Sequence, residues 1–101
     1  MIKSGGISLF PEEIEEVLLR HPLIAEVAVV GFKSPQWGEA VKALVVLKKG
    51  ESLEPETLIQ FCKDSLASYK APKVVEFVSS LPRTGLGKID RGRLESAARG
   101  K

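Results

Sequence analysis

One cysteine, one histidine, one tryptophan and one tyrosine are all that this 101-residue sequence holds of those four side chains. A lone Cys62 excludes an internal disulfide and fits a reducing compartment, which sets the expectation of a cytoplasmic protein. With His21 as its single imidazole, the chain has no His/Cys cluster for zinc and is poorly equipped for a Ser-His-Asp triad. No apolar run approaches the roughly 20 residues a membrane span needs, and nothing resembles a signal peptide. What is present is ordinary for a globular domain: 44% hydrophobic and 28% charged residues, enough for one domain with a modest core.

The net charge of +2 hides an asymmetry. Residues 1–80 carry nine basic and eleven acidic side chains, whereas residues 81–101 carry six basic and two acidic ones. That cationic end could meet nucleic acid but lacks the interleaved aromatics that stack on bases. Binding through residues 83–101, weakening steeply with salt, is a third reading, and the preferred one has no nucleic-acid partner. A phosphate-bearing small molecule or an acidic face of another domain fits it as well.

Taken in order, Gly5-Gly6 between two short apolar segments reads as a β-hairpin. A domain beginning so abruptly reads as cut from something longer. Pro11 suits the first position of a helix, with Glu12, Glu13, Glu15 and Glu16 favourable near its positive end. Ile14, Val17 and Leu18 supply that helix's buried stripe, and Arg20-His21-Pro22 ends it. His21 is read as a helix C-terminal residue satisfied by local carbonyls.

Ala25 to Phe32 is predicted as a strand with Val27 and Val29 sharing a face, and Val41 to Leu47 as a second, central one. The segment Lys33 to Glu39 between them is judged too long for a tight turn. Trp37 within it reads as a lid on the edge of the core or as an exposed recognition residue. Pro55 to about Ala67 is predicted as a second amphipathic helix burying Leu58, Ile59, Phe61, Cys62 and Leu66. Val74 to Val78 is a third strand. The expectation is an α+β, two-layer domain with a small N-terminal hairpin, a roughly three-stranded sheet and about three helices.

The stretch Leu81-Pro82-Arg83-Thr84-Gly85-Leu86-Gly87-Lys88-Ile89-Asp90-Arg91 carries the chemistry. Gly85 and Gly87 allow backbone angles closed to other residues, and Lys88 follows as a cation suited to phosphate or carboxylate. Asp90 fits as the N-cap of a closing helix that begins Arg91-Gly92-Arg93-Leu94. It is not a nucleotide-binding P-loop, which needs G-x-x-x-x-G-K-[ST]; Pro82 lies five before Gly87, and Ile89 follows Lys88. Alone, it reads as a mobile loop that presents one lysine, or as a solvated turn.

An ordered set of motifs resembles the C-terminal domain of the adenylate-forming enzymes: acyl-CoA synthetases, peptide-synthetase adenylation domains and firefly luciferase. The set comprises Ile2-Lys3-Ser4-Gly5-Gly6 with Pro11-Glu12-Glu13-Ile14-Glu15, then His21-Pro22 running into Ala25 to Gly31. Trp37-Gly38-Glu39, Tyr69-Lys70-Ala71-Pro72, and Leu81 to Lys88 complete it. The resemblance spans residues 1–101 as one C-terminal lid domain and implies a large N-terminal domain, absent here, that holds ATP, magnesium and the acyl pocket.

It further implies a two-step ligase that makes an acyl-adenylate from a carboxylic acid and ATP and passes the acyl group to coenzyme A. Lys88 matches the family's adenylation lysine. Lys3, Gly5 and Gly6 match the face that replaces it for thioester formation, with the glycines along the pantetheine arm and Lys3 near the adenylate. Lys63 or Lys70 would meet the nucleotide phosphates of coenzyme A or remain solvated surface lysines. The chain departs from the family pattern at Ile7-Ser8, where many relatives carry a polar pair such as Glu-Asn. The alternatives are a carrier-protein thiol as acceptor, or a free-standing interaction module of the same fold.

Overall fold

A computed structural model describes residues 2–4, 6–36, 38–66, 70–90 and 92–94, with the backbone alone for Lys3, Ser4, Ile7 and Ser34. Gly5, Trp37, Tyr69 and Arg91, all singled out in the sequence, lie outside the described residues, as does the side chain of Lys3. The element order is β1 (Ile2–Ser4), β2 (Ile7–Leu9), α1 (Pro11–Leu19), β3 (Ile24–Ser34), β4 (Gly38–Leu47), α2 (Pro55–Ser65) and β5 (Val74–Phe77).

Both helices start the same way. Proline stands at the first helical position, where its missing N–H is no loss, and glutamate follows in the first turn. Neither N-cap residue, Phe10 or Glu54, caps through its side chain. The end of α1 tightens: Arg20 N donates to Val17 O at 3.1 Å and His21 N to Leu18 O at 3.0 Å, and Pro22 prevents continuation.

Strand β4 is the spine of the sheet. Along one edge it pairs antiparallel with β3, from Glu26↔Val46 to Ser34↔Gly38. Along the other it pairs parallel with β5, from Lys42↔Val74 to Val45↔Phe77, and meets β1 at Ser4↔Gly38. Parallel neighbours need a crossover, and α2 supplies it. The expected three strands are therefore β3, β4 and β5, with the β1–β2 hairpin continuing the sheet at one end.

The link between β3 and β4 is shorter than the sequence implied. Lys33 and Glu39 belong to the ladder, so only residues 35–37 lie between Ser34 and its partner Gly38. A three-residue loop followed by a residue in the left-handed region closes a hairpin tightly, and Gly38 has φ +79°.

Alternation along the strands gives the two faces different roles. Val27, Val29, Val41, Ala43, Val45 and Val75 pack with Ile14, Val17 and Leu18 of α1 and Leu58 and Cys62 of α2. Ile2 and Leu9 of the hairpin join the same side. Ala28, Val30 and Leu44 point the other way and are covered by Leu81, Ile89 and Leu94. The segment after β5 thus folds back over the sheet's second face. Truncating a core residue such as Ile14 or Leu58 to alanine should cost about 2–5 kcal/mol.

His21 is held differently from the expectation. Its Nδ1 accepts a hydrogen bond from Leu23 N at 3.1 Å, and its ring meets Phe61 edge-on with centroids 5.1 Å apart. The turn into β3 offers it a free N–H two residues ahead, so it acts as an acceptor where donation to carbonyls was expected.

Candidate functional site

Lys88 stands on a small hairpin. Arg83 and Ile89 bridge antiparallel, Thr84 N donates to Lys88 O at 2.7 Å, and Asp90 N donates to Pro82 O at 2.8 Å. The turn closes with Gly87 N on Thr84 O at 2.9 Å, while Thr84 Oγ1 accepts from Leu86 N at 3.3 Å. Gly87 takes φ +83°, which costs a side-chain-bearing residue about 1–2 kcal/mol. Gly85 does not have a positive φ, so only one of the two glycines is conformationally required. Of the two sequence readings, a mobile loop or a solvated turn, the geometry is that of an exposed turn closed by backbone hydrogen bonds.

The base of this hairpin is fixed to the sheet. Ile89 packs against the second-face core, and the Arg83 guanidinium forms an ion pair with Glu26 at the start of β3. A second N–H of the same guanidinium donates to Gly87 O at 3.2 Å. Beyond that anchor the tip is bare: Leu86 is 88% exposed, and the side chain of Lys88 is exposed and in no ion pair among the described residues. A groove of about 420 Å³ on this face takes Phe32, Lys42, Leu44, Val74 and Glu76 into its wall and stops short of Lys88.

The helix that follows is capped as expected. Asp90 Oδ1 accepts from Arg93 N at 3.0 Å, and residues 92–94 are helical.

The other expected site residues sit at the far end. Backbone positions 3 and 4 belong to β1, paired as Lys3↔Ser8 and Ser4↔Ile7, and Ser4 reaches Gly38. Gly6 is exposed in the turn, with φ +82° and no atom within 4 Å of where a Cβ would lie. An extended ligand arm can therefore pass close to this turn. The hairpin rests on Gly31, where an added Cβ would meet Ile2 at 3.3 Å and Glu39 Oε2 at 3.1 Å.

Glu26, which anchors the Lys88 hairpin, and Ser34, whose partner Gly38 meets Ser4 of β1, stand eight residues apart along β3, roughly 27 Å of strand. Their apolar neighbours pack in different clusters: Ile2 with the helical side of the sheet and Ile89 with the second face. The structure does not bring Lys88 together with the hairpin residues.

Of the two lysines considered for phosphate, Lys70 forms an ion pair with Glu13 of α1 at 2.7 Å, and Lys63 is exposed on the last turn of α2. Sequence reasoning missed the Arg83–Glu26 anchor; opposite charges 57 positions apart carry no local signal. Among the described residues no three His, Cys, Asp or Glu side chains converge, and no helix is long and apolar enough to cross a membrane.

The comparisons with known proteins agree on one lineage. Residues 13–88 match the family model described as the AMP-binding enzyme C-terminal domain. A long-chain-fatty-acid–CoA ligase of Escherichia coli O6:H1 is 50% identical over all 101 residues, which span 18% of that protein. The crystal structure of an acyl-CoA synthetase from Brucella canis superposes with a TM-score of 0.89 at 39% identity, covering 95% of this chain and 18% of that one. An amide bond synthetase from Marinactinospora thermotolerans gives 0.90 at 36% identity, covering 95% of this chain and 19% of that one. The chain belongs to the AMP-binding enzyme C-terminal domain family, the C-terminal domain of acyl-CoA synthetases and related adenylate-forming enzymes.

Proposed function

We propose that this chain is the mobile C-terminal lid of an ATP-dependent carboxylate–CoA ligase and is inert alone. A large N-terminal domain of the same cytoplasmic enzyme is its partner and supplies the acyl pocket and the sites for ATP and magnesium. In the first step a carboxylate oxygen attacks the α-phosphate of ATP, the bond to the β-phosphate oxygen breaks, and acyl-adenylate and pyrophosphate result. Lys88 is the catalytic residue, its ammonium set beside the carboxylate and α-phosphate oxygens where negative charge gathers.

In the second step the coenzyme A thiol attacks the acyl carbonyl and AMP leaves with its phosphate oxygen. The turn at Gly5 and Gly6 lies along the pantetheine arm, and Lys3 faces the adenylate. The placement of the two sets of residues toward different ends of β3, with the Lys88 hairpin tied to Glu26 and β1 meeting the sheet near Ser34 and Gly38, supports a lid that turns between steps.

The observation that carries this reading is the exposed ammonium of Lys88, in no ion pair among the described residues, on a tied hairpin outside the groove of that face. It is tested with Lys88→Ala in the full-length enzyme. Acyl-adenylate formation should fall well over tenfold, more than about 1.4 kcal/mol of barrier, while thioester formation from preformed adenylate is retained. Adenylation within tenfold of the parent would remove the assignment.

A further inference from the structure

We infer that Arg83, held by Glu26, is a positioning residue for Lys88: its guanidinium ties the peptide that enters the lysine to the first residues of β3. This rests on the adenylation role of Lys88 proposed above.

Three observations carry it. The guanidinium is shared, with one N–H group on the Glu26 carboxylate and another on Gly87 O at 3.2 Å. Gly87 O belongs to the peptide unit directly before Lys88, so fixing that oxygen fixes the plane from which the lysine's Cα leaves. Lys88 O is itself held by Thr84 N at 2.7 Å, so both peptide units flanking the lysine are tied.

The choice of residue type follows. A planar fork with five donors can serve a carboxylate and a carbonyl at once, in fixed mutual geometry; an ammonium is a point charge without that geometry. Arg83 and Glu26 are both partly exposed, so the pair adds little to the stability of the fold. Its geometry has a sharper consequence. A lysine presented from an exposed turn is aimed by the backbone that carries it, and catalytic groups displaced by about 1 Å can lose up to a hundredfold in rate.

The test uses Glu26→Gln and Arg83→Met in the full-length enzyme, each alone and combined with Lys88→Ala. Adenylation and thioester formation from preformed adenylate are measured separately, with thermal unfolding as a check on the fold. Each single variant should lower the adenylation kcat on the order of tenfold and leave the KM for ATP and the thioester step within about twofold. In the Lys88→Ala background neither should lower adenylation further, because the residue they position has gone.

Equal losses in both half-reactions, or a further loss in the Lys88→Ala background, would show a merely structural contact and overturn the inference. Unchanged adenylation in Glu26→Gln and Arg83→Met, with Lys88→Ala impaired, overturns it while leaving the role of Lys88 intact. If Lys88→Ala itself is without effect, both fall together.

Discussion

Glu15 of α1 places Oε2 2.7 Å from the backbone N of Val29 in β3 and accepts its hydrogen bond. The other edge of β3 is taken by β4, so this N–H belongs to the row that an edge strand leaves open. A carboxylate from the covering helix closes it, at a position only 8% exposed. Helix and sheet are thus joined by a directional bond as well as by apolar contact.

Removing that acceptor should be felt. Glu15→Ala leaves a buried N–H without this partner and is expected to lower stability by roughly 1–3 kcal/mol, read from denaturant unfolding. Glu15→Gln keeps an acceptor oxygen and should recover part of the loss. Faster hydrogen exchange at the Val29 amide would localise the effect; an unchanged rate there would refute the assigned bond.

Gly31 is the seat of the β1–β2 hairpin, and Gly31→Ala tests it. The new methyl would stand 3.3 Å from Ile2, itself buried in the core, and 3.1 Å from the end of Glu39. Both neighbours would have to give way, and Ile2 belongs to the hairpin, so its retreat displaces the hairpin. A loss of about 1–3 kcal/mol is expected from such overpacking. In the full-length enzyme the thioester step should suffer more than adenylation; the reverse order would refute the hairpin's proposed part.

The two glycines of the Lys88 turn should separate cleanly. Gly87→Ala must hold a left-handed backbone and should cost about 1–2 kcal/mol or distort the turn, whereas Gly85→Ala meets open space without a positive φ and should be tolerated. Thermal unfolding and adenylation rates of the pair decide it. Equal sensitivity would contradict the turn geometry.

Cys62 is fully buried against the helical face, and burial pushes its thiol from 9.0 up to about 11. Between pH 9 and 11 the folded domain keeps a proton that the unfolded chain releases. Stability is therefore unaffected by this group below pH 9 and falls as pH rises toward 11, by roughly 2–3 kcal/mol in all. The matching chemical test is alkylation by iodoacetamide. It should proceed at the rate of unfolding in the native protein and quickly in urea; fast labelling of native protein would refute the burial.

Much of this architecture is legible residue by residue. Pro11 and Pro55 mark the helix starts, and Ile14, Val17, Leu18, Leu58 and Cys62 fall on the stripe their spacing predicts. Val27 and Val29 do share a face, and Asp90 caps where it should. What escaped depends on partners distant in sequence. Glu15 has the look of a helix-dipole charge, and only the fold shows that it faces β3. Leu81, Ile89 and Leu94 follow no single period, because they cover the second sheet face from a turn and a short helical segment. The tight link at residues 35–37 was hidden because Lys33 and Glu39 look like loop residues while serving as the last rungs of the ladder.

Strand β4 is bonded to β1, β3 and β5, but these neighbours arrive by very different routes. Its pairing with β3 closes across three residues, whereas β5 must wait until residues 48–73 have been threaded through α2. The local hairpin can form early during refolding, and its second row of carbonyls, such as Val41 O and Val45 O, stays open until Lys73 N and Val78 N reach them. A chain severed between residues 48 and 54 would leave one piece with a ragged, adhesive margin and the other with no sheet to join. Strands β3, β4 and β5 therefore have to be made, exchanged or fused together if aggregation is to be avoided.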